Sequence, residues 1–147
     1  MALEVWWNSD ATEPTRVESP EELWALLDQA RGTVDYPIMF EVLDADDPYQ
    51  GSILDVGLHK ELGALYFSGP QAEHGCYTLA APSSFEQDLA ERVYFDHMNQ
   101  TRDFPPSSLY PIDVIRRAVV QFAESNGQLP DAVAWQPASA ISGDSEA

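Results

Sequence analysis

The sequence predicts an α+β fold, with a single antiparallel sheet of about five to seven strands and two main helices packed on one face. Two segments, one near each end of the chain, show the apolar spacing and end signals of amphipathic helices. The segments between them are short, alternate in polarity and are separated by Gly and Pro. With 147 residues, 44% of them hydrophobic, the chain suits one packed domain, which we place at residues 1–136. Residues 137–147 are small and polar, and we expect a disordered tail there.

The first strand and the first helix are predicted by local signals. Residues 3–8, LEVWWN, are an apolar and aromatic run that a turn-forming segment ends. The segment SPEELWALLDQARG then has Ser19 as the N-cap, Pro20 at the first helical position and Glu22 where a capping box needs it. We expect Gly32 to end this helix.

The middle of the chain predicts the strands of an antiparallel meander. The segments with alternating polarity are residues 37–43, 52–58, 63–68, 76–81 and 92–97. Between the last two, SSFEQDLAE fits either a short helical turn or a loop. After them, MNQTRDFPPSS is interpreted as a polar loop.

The second helix is predicted over residues 111–125. Its apolar residues share one face at helical spacing: Ile112, Ile115, Ala118, Val119 and Phe122. Asp113 precedes Arg116 and Arg117 by three and four positions, which favours ion pairs on the helix surface. Gly127 is placed to end the helix as its C′ residue, Pro130 prevents continuation, and residues 132–135 predict a short closing strand.

The net charge is the most unusual feature of the composition. The formal net charge is −18, from 25 acidic and seven basic residues. Such a charge repels the phosphates of nucleic acids, so we expect no direct nucleic-acid binding, and it attracts basic proteins and speeds their association. An acidic surface kept only for solubility is the other interpretation.

The sequence also predicts where the protein acts. The N-terminal residues lack the basic start and apolar run of a secretory signal, and no apolar run approaches the roughly 20 residues that a membrane helix needs. A single cysteine, Cys76, excludes an internal disulfide and fits a reducing compartment. We therefore expect a cytoplasmic protein with no membrane contact.

Few residues point to catalysis. The segment HGC places His74 and Cys76 on one side of a predicted strand, with His97 elsewhere, so a zinc site or a nucleophilic Cys–His pair is conceivable. Turn residues beside a buried thiol are the simpler interpretation. The zinc-deaminase signature, H-x-E with P-C-x-x-C, is absent. We predict no catalytic residue, no metal site and no cofactor.

An acidic loop over residues 44–51, DADDPYQG, resembles a calcium loop only superficially. The EF-hand pattern needs Gly at its sixth position and Glu at its twelfth, and these are Tyr49 and Asp55 here. Two interpretations remain, a solvated hairpin loop and a charged contact surface.

The tryptophans fit either core packing or interface anchors. Adjacent strand residues point to opposite faces, so one of Trp6 and Trp7 can be exposed. Trp24 lies one helical step from the apolar line of the first helix and is a second candidate, whereas Trp135 ends the closing strand.

The last third of the chain resembles a known family. The pattern P-P-S-S-x-x-P-I-D-x-x-R-R-A-V-x-x-F-x-x-x-x-G-x-x-P-x-x-V-x-W-Q, from Pro105 to Gln136, is similar to the C-terminal half of immunity protein family one of bacterial polymorphic toxin systems. Upstream, SPEELWALLDQ resembles the first helix of that family, and SILDVGLHKELGALYFSG resembles its central hairpin. The likeness covers most of residues 19–136, and none of its motifs is chemical.

The resemblance implies a small cytoplasmic antidote that binds a cognate toxin, in a family associated with deaminase toxins and nucleases. A toxin that acts on nucleic acid needs a cationic groove, which an acidic surface can occlude. The residues that we expect to contact the toxin are Asp44, Asp46, Asp47, Tyr49, Glu73, Glu86, Asp88 and Glu91. We expect a monomer or a weak dimer. The alternatives are an acidic adaptor without a toxin partner and a small hydrolase or metal-dependent enzyme that uses Cys76, His74 and His97.

Overall fold

The computed structural model describes residues 2–8, 10–46, 51–79 and 93–138, without the side chains of Glu73 and Val93. Within these residues the chain forms two helices, a short 3-10 helix at Pro106–Ser108 and ten strands. The helices are α1 (Pro20–Thr33) and α2 (Ile112–Glu124). The strands are β1 (Leu3–Trp6), β2 (Thr15–Val17), β3 (Ile38–Asp44), β4 (Ile53–His59), β5 (Leu62–Gly69), β6 (Ala72–Thr78), β7 (Val93–His97), β8 (Gln100–Phe104), β9 (Tyr110–Pro111) and β10 (Trp135–Pro137).

The strands form one sheet whose main path runs β10-β6-β5-β4-β3-β1-β2, with every neighbouring pair antiparallel. Off this path, β7 meets β3 in a short parallel contact at Ile38 and pairs with β8 as a hairpin. The predicted α+β class is confirmed, but the ten strands exceed the five to seven expected. The additional strands β2, β8 and β9 are short, and the pattern that predicts strands needs longer apolar alternation than they have.

Both helices pack on the same face of the sheet, as predicted. Alternate residues of β3 and β4, such as Phe40 and Val56, have their side chains on this helix-covered face and are fully buried. They meet Leu23 and Leu27 of α1 and Phe122 of α2, whose ring packs edge-on against Phe67 at 6.2 Å between centroids. This face therefore holds the main core. No helix among the described residues has the length and apolar character to cross a membrane.

The helix ends follow the predicted signals with two differences. Ser19 is the N-cap, and its hydroxyl accepts a hydrogen bond from the Glu22 backbone amide at 3.1 Å. Helix α1 continues through Gly32 and ends at Thr33, so Gly32 is not its terminator. At the end of α2 the first left-handed residue is Asn126, and Gly127 follows it, donating its amide to the Phe122 carbonyl at 2.9 Å as in a Schellman motif.

The second face of the sheet is covered by the β7–β8 hairpin. Phe95 and Phe104 of the hairpin pack edge-on, with 5.2 Å between ring centroids, and bury Met39 and Ala64 in a smaller second cluster. A Cβ atom added at Gly57 would lie 2.8 Å from the Phe95 ring. Glycine at this position therefore allows the hairpin to approach the sheet.

Candidate functional site

An open groove with exposed aromatic side chains lies where the β7–β8 hairpin meets the start of β3. We call it the tyrosine groove. It has a volume of about 440 Å³ and is lined by Tyr36, Pro37, Tyr94, Asp96, Asn99 and Thr101, with Phe95 at its base. Tyr36 is 44% exposed and Tyr94 is 54% exposed, and they are the two most exposed large hydrophobic side chains among the described residues. Aromatic side chains of this kind commonly anchor protein interfaces.

The walls of the tyrosine groove are held by contacts that do not use its exposed side chains. The Asp96 amide donates to the Pro37 carbonyl at 2.9 Å, which fastens the hairpin to the start of β3. His97 is buried, and its Nδ1 donates to the Met39 carbonyl at 3.1 Å. The groove is therefore fixed by backbone and core contacts.

The turn of the hairpin also helps to fix the geometry of the groove. Met98 and Asn99 both have positive φ angles, 52° and 71°, as a two-residue type I′ hairpin turn requires. The turn joins His97 and Gln100, which form the last pair of the β7–β8 ladder. Because this turn geometry matches the twist of the strands, the hairpin is short and its outward face is defined.

The outward face of the hairpin is acidic. Tyr94 lies directly opposite Asp103 in the ladder, and Asp96 lies opposite Thr101. Asp35, which is exposed, immediately precedes Tyr36. None of the described residues that line the tyrosine groove is Lys or Arg. The two tyrosines thus lie near carboxylates, and the described part of the lining carries no cation.

A buried carboxyl group lies beneath the same hairpin. Asp55 of β4 is 2% exposed, and Arg102 of β8 donates from Nη2 to its Oδ2 at 3.4 Å. Its Oδ1 has no hydrogen-bond partner among the described residues. Burial, and then the neighbouring Glu41, raise the pKa of Asp55 from 3.8 to about 7, while Arg102 lowers it. The carboxyl group therefore holds its proton up to neutral pH, far above the ordinary range of an aspartate.

A cavity of about 330 Å³ adjoins Asp55. It is lined by polar groups and aromatic rings, including Tyr66, His74, Tyr77 and Arg102. Tyr66 and Tyr77 are neighbours across β5 and β6, with 5.0 Å between ring centroids. Among the described residues, no group of three or more His, Cys, Asp and Glu side chains is placed to hold a metal ion.

Two of the predicted toxin contacts lie within the described residues with their side chains. Asp44 ends β3, and its Oδ1 accepts a hydrogen bond from the Asp46 amide at 2.9 Å, which orders the following turn. Asp46 is exposed. The other predicted contacts, which are Asp47, Tyr49, Glu86, Asp88 and Glu91, lie outside the described residues, as does the side chain of Glu73. Asp44 and Tyr36 flank opposite ends of β3, roughly 25 Å apart at the usual rise of a strand.

The cysteine and the histidines are separated. Cys76 is buried in the core on the helix face, and burial raises the pKa of its thiol to about 11, so the reactive thiolate is scarce at neutral pH. His74 lines the cavity on the opposite face, because Gly75 between them, at φ 82°, and a register shift in the β5–β6 ladder break the alternation. His97 lies beneath the hairpin. The expectation that His74 and Cys76 share one side of a strand is wrong.

The tryptophans follow the core-packing interpretation and not the interface-anchor interpretation. All four tryptophans are half-buried. Trp7 packs against Phe40 at 5.9 Å, and Trp135 packs against Phe67 at 6.1 Å and donates its indole N–H to the Pro130 carbonyl. The alternation in residues 93–97 did carry the missed signal, since it assigns Phe95 and Tyr94 to opposite faces of the hairpin.

The chain is similar to a known protein family. The family model for Immunity protein Imm1 matches residues 11–137. No curated protein matches the chain. The matched range contains both helices, the tyrosine groove and the Asp55 carboxyl group.

Proposed function

The chain belongs to the Imm1 family of immunity proteins, and we propose that it binds and neutralises a cognate bacterial toxin domain that acts on nucleic acid, with a deaminase as the first class to test. The family match over residues 11–137 is the observation that carries the immunity role. The proposal places the encounter with the toxin in the cytoplasm, where nucleic acid is the exposed target.

The charge of the chain supports a partner that acts on nucleic acid. A protein that binds DNA or RNA needs a cationic groove for the phosphates. A chain with a net charge of −18 can present carboxylates where phosphates would lie, and the attraction speeds capture. Occlusion of this kind requires shape and charge but no catalytic residue in the inhibitor.

The arginines reduce the acidic field very little. Two of the described arginines pair with nearby carboxylates, Arg16 with Glu18 at 2.9 Å and Arg31 with Asp28 at 2.5 Å, and Arg102 contacts the buried Asp55 carboxyl group at 3.4 Å. Arg116 and Arg117 are exposed on α2, on the helix side of the sheet. We therefore assign the toxin-facing surface to the side opposite α2.

The experiment uses the toxin domain encoded beside the gene of this chain. The purified protein should bind that domain and suppress its modification of DNA or RNA in vitro, and it should protect cells that express the toxin. Deamination and strand cleavage are scored separately, so the assay also identifies the class of toxin. Failure both to bind and to protect would refute the proposal, whereas binding without protection would favour an adaptor.

The predicted acidic contacts have their own test. Charge reversal at Asp44, Asp46 and Asp47 should slow association and flatten its dependence on salt, because rim charges act mainly on the association rate. The same is expected for reversal at Glu86, Asp88 and Glu91. Unchanged association rates in both triple variants would place the acidic contacts elsewhere.

A further inference from the structure

We propose that the tyrosine groove is the centre of the toxin interface and that it receives a Lys- or Arg-bearing segment of the toxin. This inference rests on the proposed function and deepens it by naming the surface and the chemistry of the segment that binds there. The groove combines exposed aromatic area, neighbouring carboxylates and a fixed backbone. Each of these features helps to determine which kind of segment binds there.

The aromatic area comes from two side chains on two different elements. Tyr36 belongs to the segment between α1 and β3, and Tyr94 belongs to β7, and both line the same groove of about 440 Å³. Exposed tyrosines offer large contact area while fixing few rotatable bonds on binding. Their ring faces also attract guanidinium and ammonium groups.

The charge around the groove selects a cationic occupant. Asp96 lines the groove, Asp103 lies opposite Tyr94, and Asp35 precedes Tyr36. A Lys or Arg side chain can place its aliphatic stem against a tyrosine ring and its charged end beside these carboxylates. A second copy of this chain is a poor occupant, because two molecules with a net charge of −18 repel each other.

The backbone of the groove is fixed before a partner arrives. The Asp96 amide is bonded to the Pro37 carbonyl, and Phe95 is packed against Gly57 beneath the hairpin. A preformed surface loses little conformational entropy when it binds. The groove can therefore slow dissociation of the toxin, whereas the acidic turn at Asp44 and Asp46, roughly 25 Å away along β3, speeds its association.

The test measures association and dissociation rates between the full chain and the toxin domain. Tyr94→Ala and Tyr36→Ala should each raise the dissociation rate at least about ten-fold while changing the association rate little. Tyr94→Phe should keep most of the binding, and Tyr94→Arg should weaken it more than Tyr94→Ala, because the added cation faces a cationic segment. Asp96→Asn combined with Asp103→Asn should raise the dissociation rate and reduce its dependence on salt.

Matched controls come from the same chain. Leu79→Ala removes a comparably exposed hydrophobic side chain at the end of β6, and Glu21→Gln with Glu124→Gln removes two exposed carboxylates on the helices, which cover the other face of the sheet. Both control variants should bind as the unchanged protein does. Circular dichroism and the thermal midpoint should be unchanged in the tyrosine variants, since neither side chain is buried.

The outcomes separate the two proposals. If the unchanged protein binds the toxin and the tyrosine variants bind it equally well, this inference is overturned and the immunity role stands. If the unchanged protein does not bind the toxin, both proposals fall. A concentration-dependent dimer that Tyr94→Ala abolishes would assign the groove to a second copy of the chain and also overturn the inference.

Discussion

Replacing Asp55 by Asn should make the protein more stable at neutral pH and remove a large pH dependence of its unfolding. Asp55 is buried between the sheet and the β7–β8 hairpin, with one weak contact to Arg102 at 3.4 Å and no described partner for Oδ1. Asparagine has nearly the same shape and no charge to desolvate. The substitution therefore removes the ionisation and keeps the packing.

The size of the effect follows from the pKa. In the folded protein Asp55 holds its proton up to a pKa of about 7, whereas in the unfolded chain it releases the proton near 3.8. Between these values the folded state binds more protons, so rising pH favours the unfolded state. The contribution of Asp55 to the free energy of unfolding is fully present below pH 3.8 and is lost as the pH rises to about 7. At about 1.4 kcal/mol per pKa unit, the total loss is on the order of 4 kcal/mol.

The assay is urea unfolding followed by tryptophan fluorescence from pH 5 to pH 8. Lower pH is avoided because the isoelectric point of about 4.1 favours association. As the pH rises from 5 to 8, the free energy of unfolding of the unchanged protein should fall by about 3 kcal/mol relative to that of Asp55→Asn. Most of this fall should occur below pH 7. Glu124→Gln, which removes an exposed carboxyl group on α2, is the control for a general charge effect. A difference between the two proteins that stays within about 0.5 kcal/mol across the range would refute the reasoning.

Three further predictions concern packing, capping and thiol reactivity. Gly57→Ala should destabilise the protein by about 1–3 kcal/mol in urea unfolding, because its Cβ would lie 2.8 Å from the Phe95 ring. The control is Gly32→Ala. Gly32 lies inside α1 and its added Cβ would have no described atom within 4 Å, so the free energy of unfolding should rise by up to about 1 kcal/mol. Ser19→Ala should lower stability by about 1 kcal/mol through loss of the α1 cap, and no change would show that the cap is dispensable. Cys76 should react slowly with a disulfide reagent at pH 8 and rapidly in urea, because the folded thiol is buried with a pKa of about 11; equal rates would contradict its burial.

The helices and the long strands could be predicted because their signals are local. Ser19 and Pro20 mark the start of α1, and the apolar spacing around Phe122 marks the buried face of α2, so both helices lie within one residue of their predicted bounds at most ends. The strands that were missed are defined by their partners. Residues 100–104, QTRDF, read as a polar loop, and they form β8 because β7 supplies the other half of the ladder. Such pairing is not visible in the segment itself.

The candidate site was less predictable than the fold. The alternation in β4 assigns Asp55 to the side of the sheet away from the helices, where an aspartate is expected to face water. Only the long-range placement of Phe95 over Gly57 turns that side into a second core and buries the carboxyl group. Tyr36 and Tyr94, which are far apart in sequence, line one groove for the same reason.

The buried carboxyl group and the exposed tyrosines belong to one structural arrangement. The sheet face that α1 and α2 leave uncovered carries Glu41, Asp55 and Tyr66 side by side on neighbouring strands, a polar row that suits water. Covering this row with the β7–β8 hairpin destabilises the fold because it buries Asp55. The aromatic contacts of Phe95 and the weak hydrogen bond from Arg102 to Asp55 offset part of that loss. In return the hairpin is held rigidly with Tyr94 on its outward face. A protein that acts by binding has use for such rigidity, since each contact ordered in advance lowers the entropy lost when the partner docks.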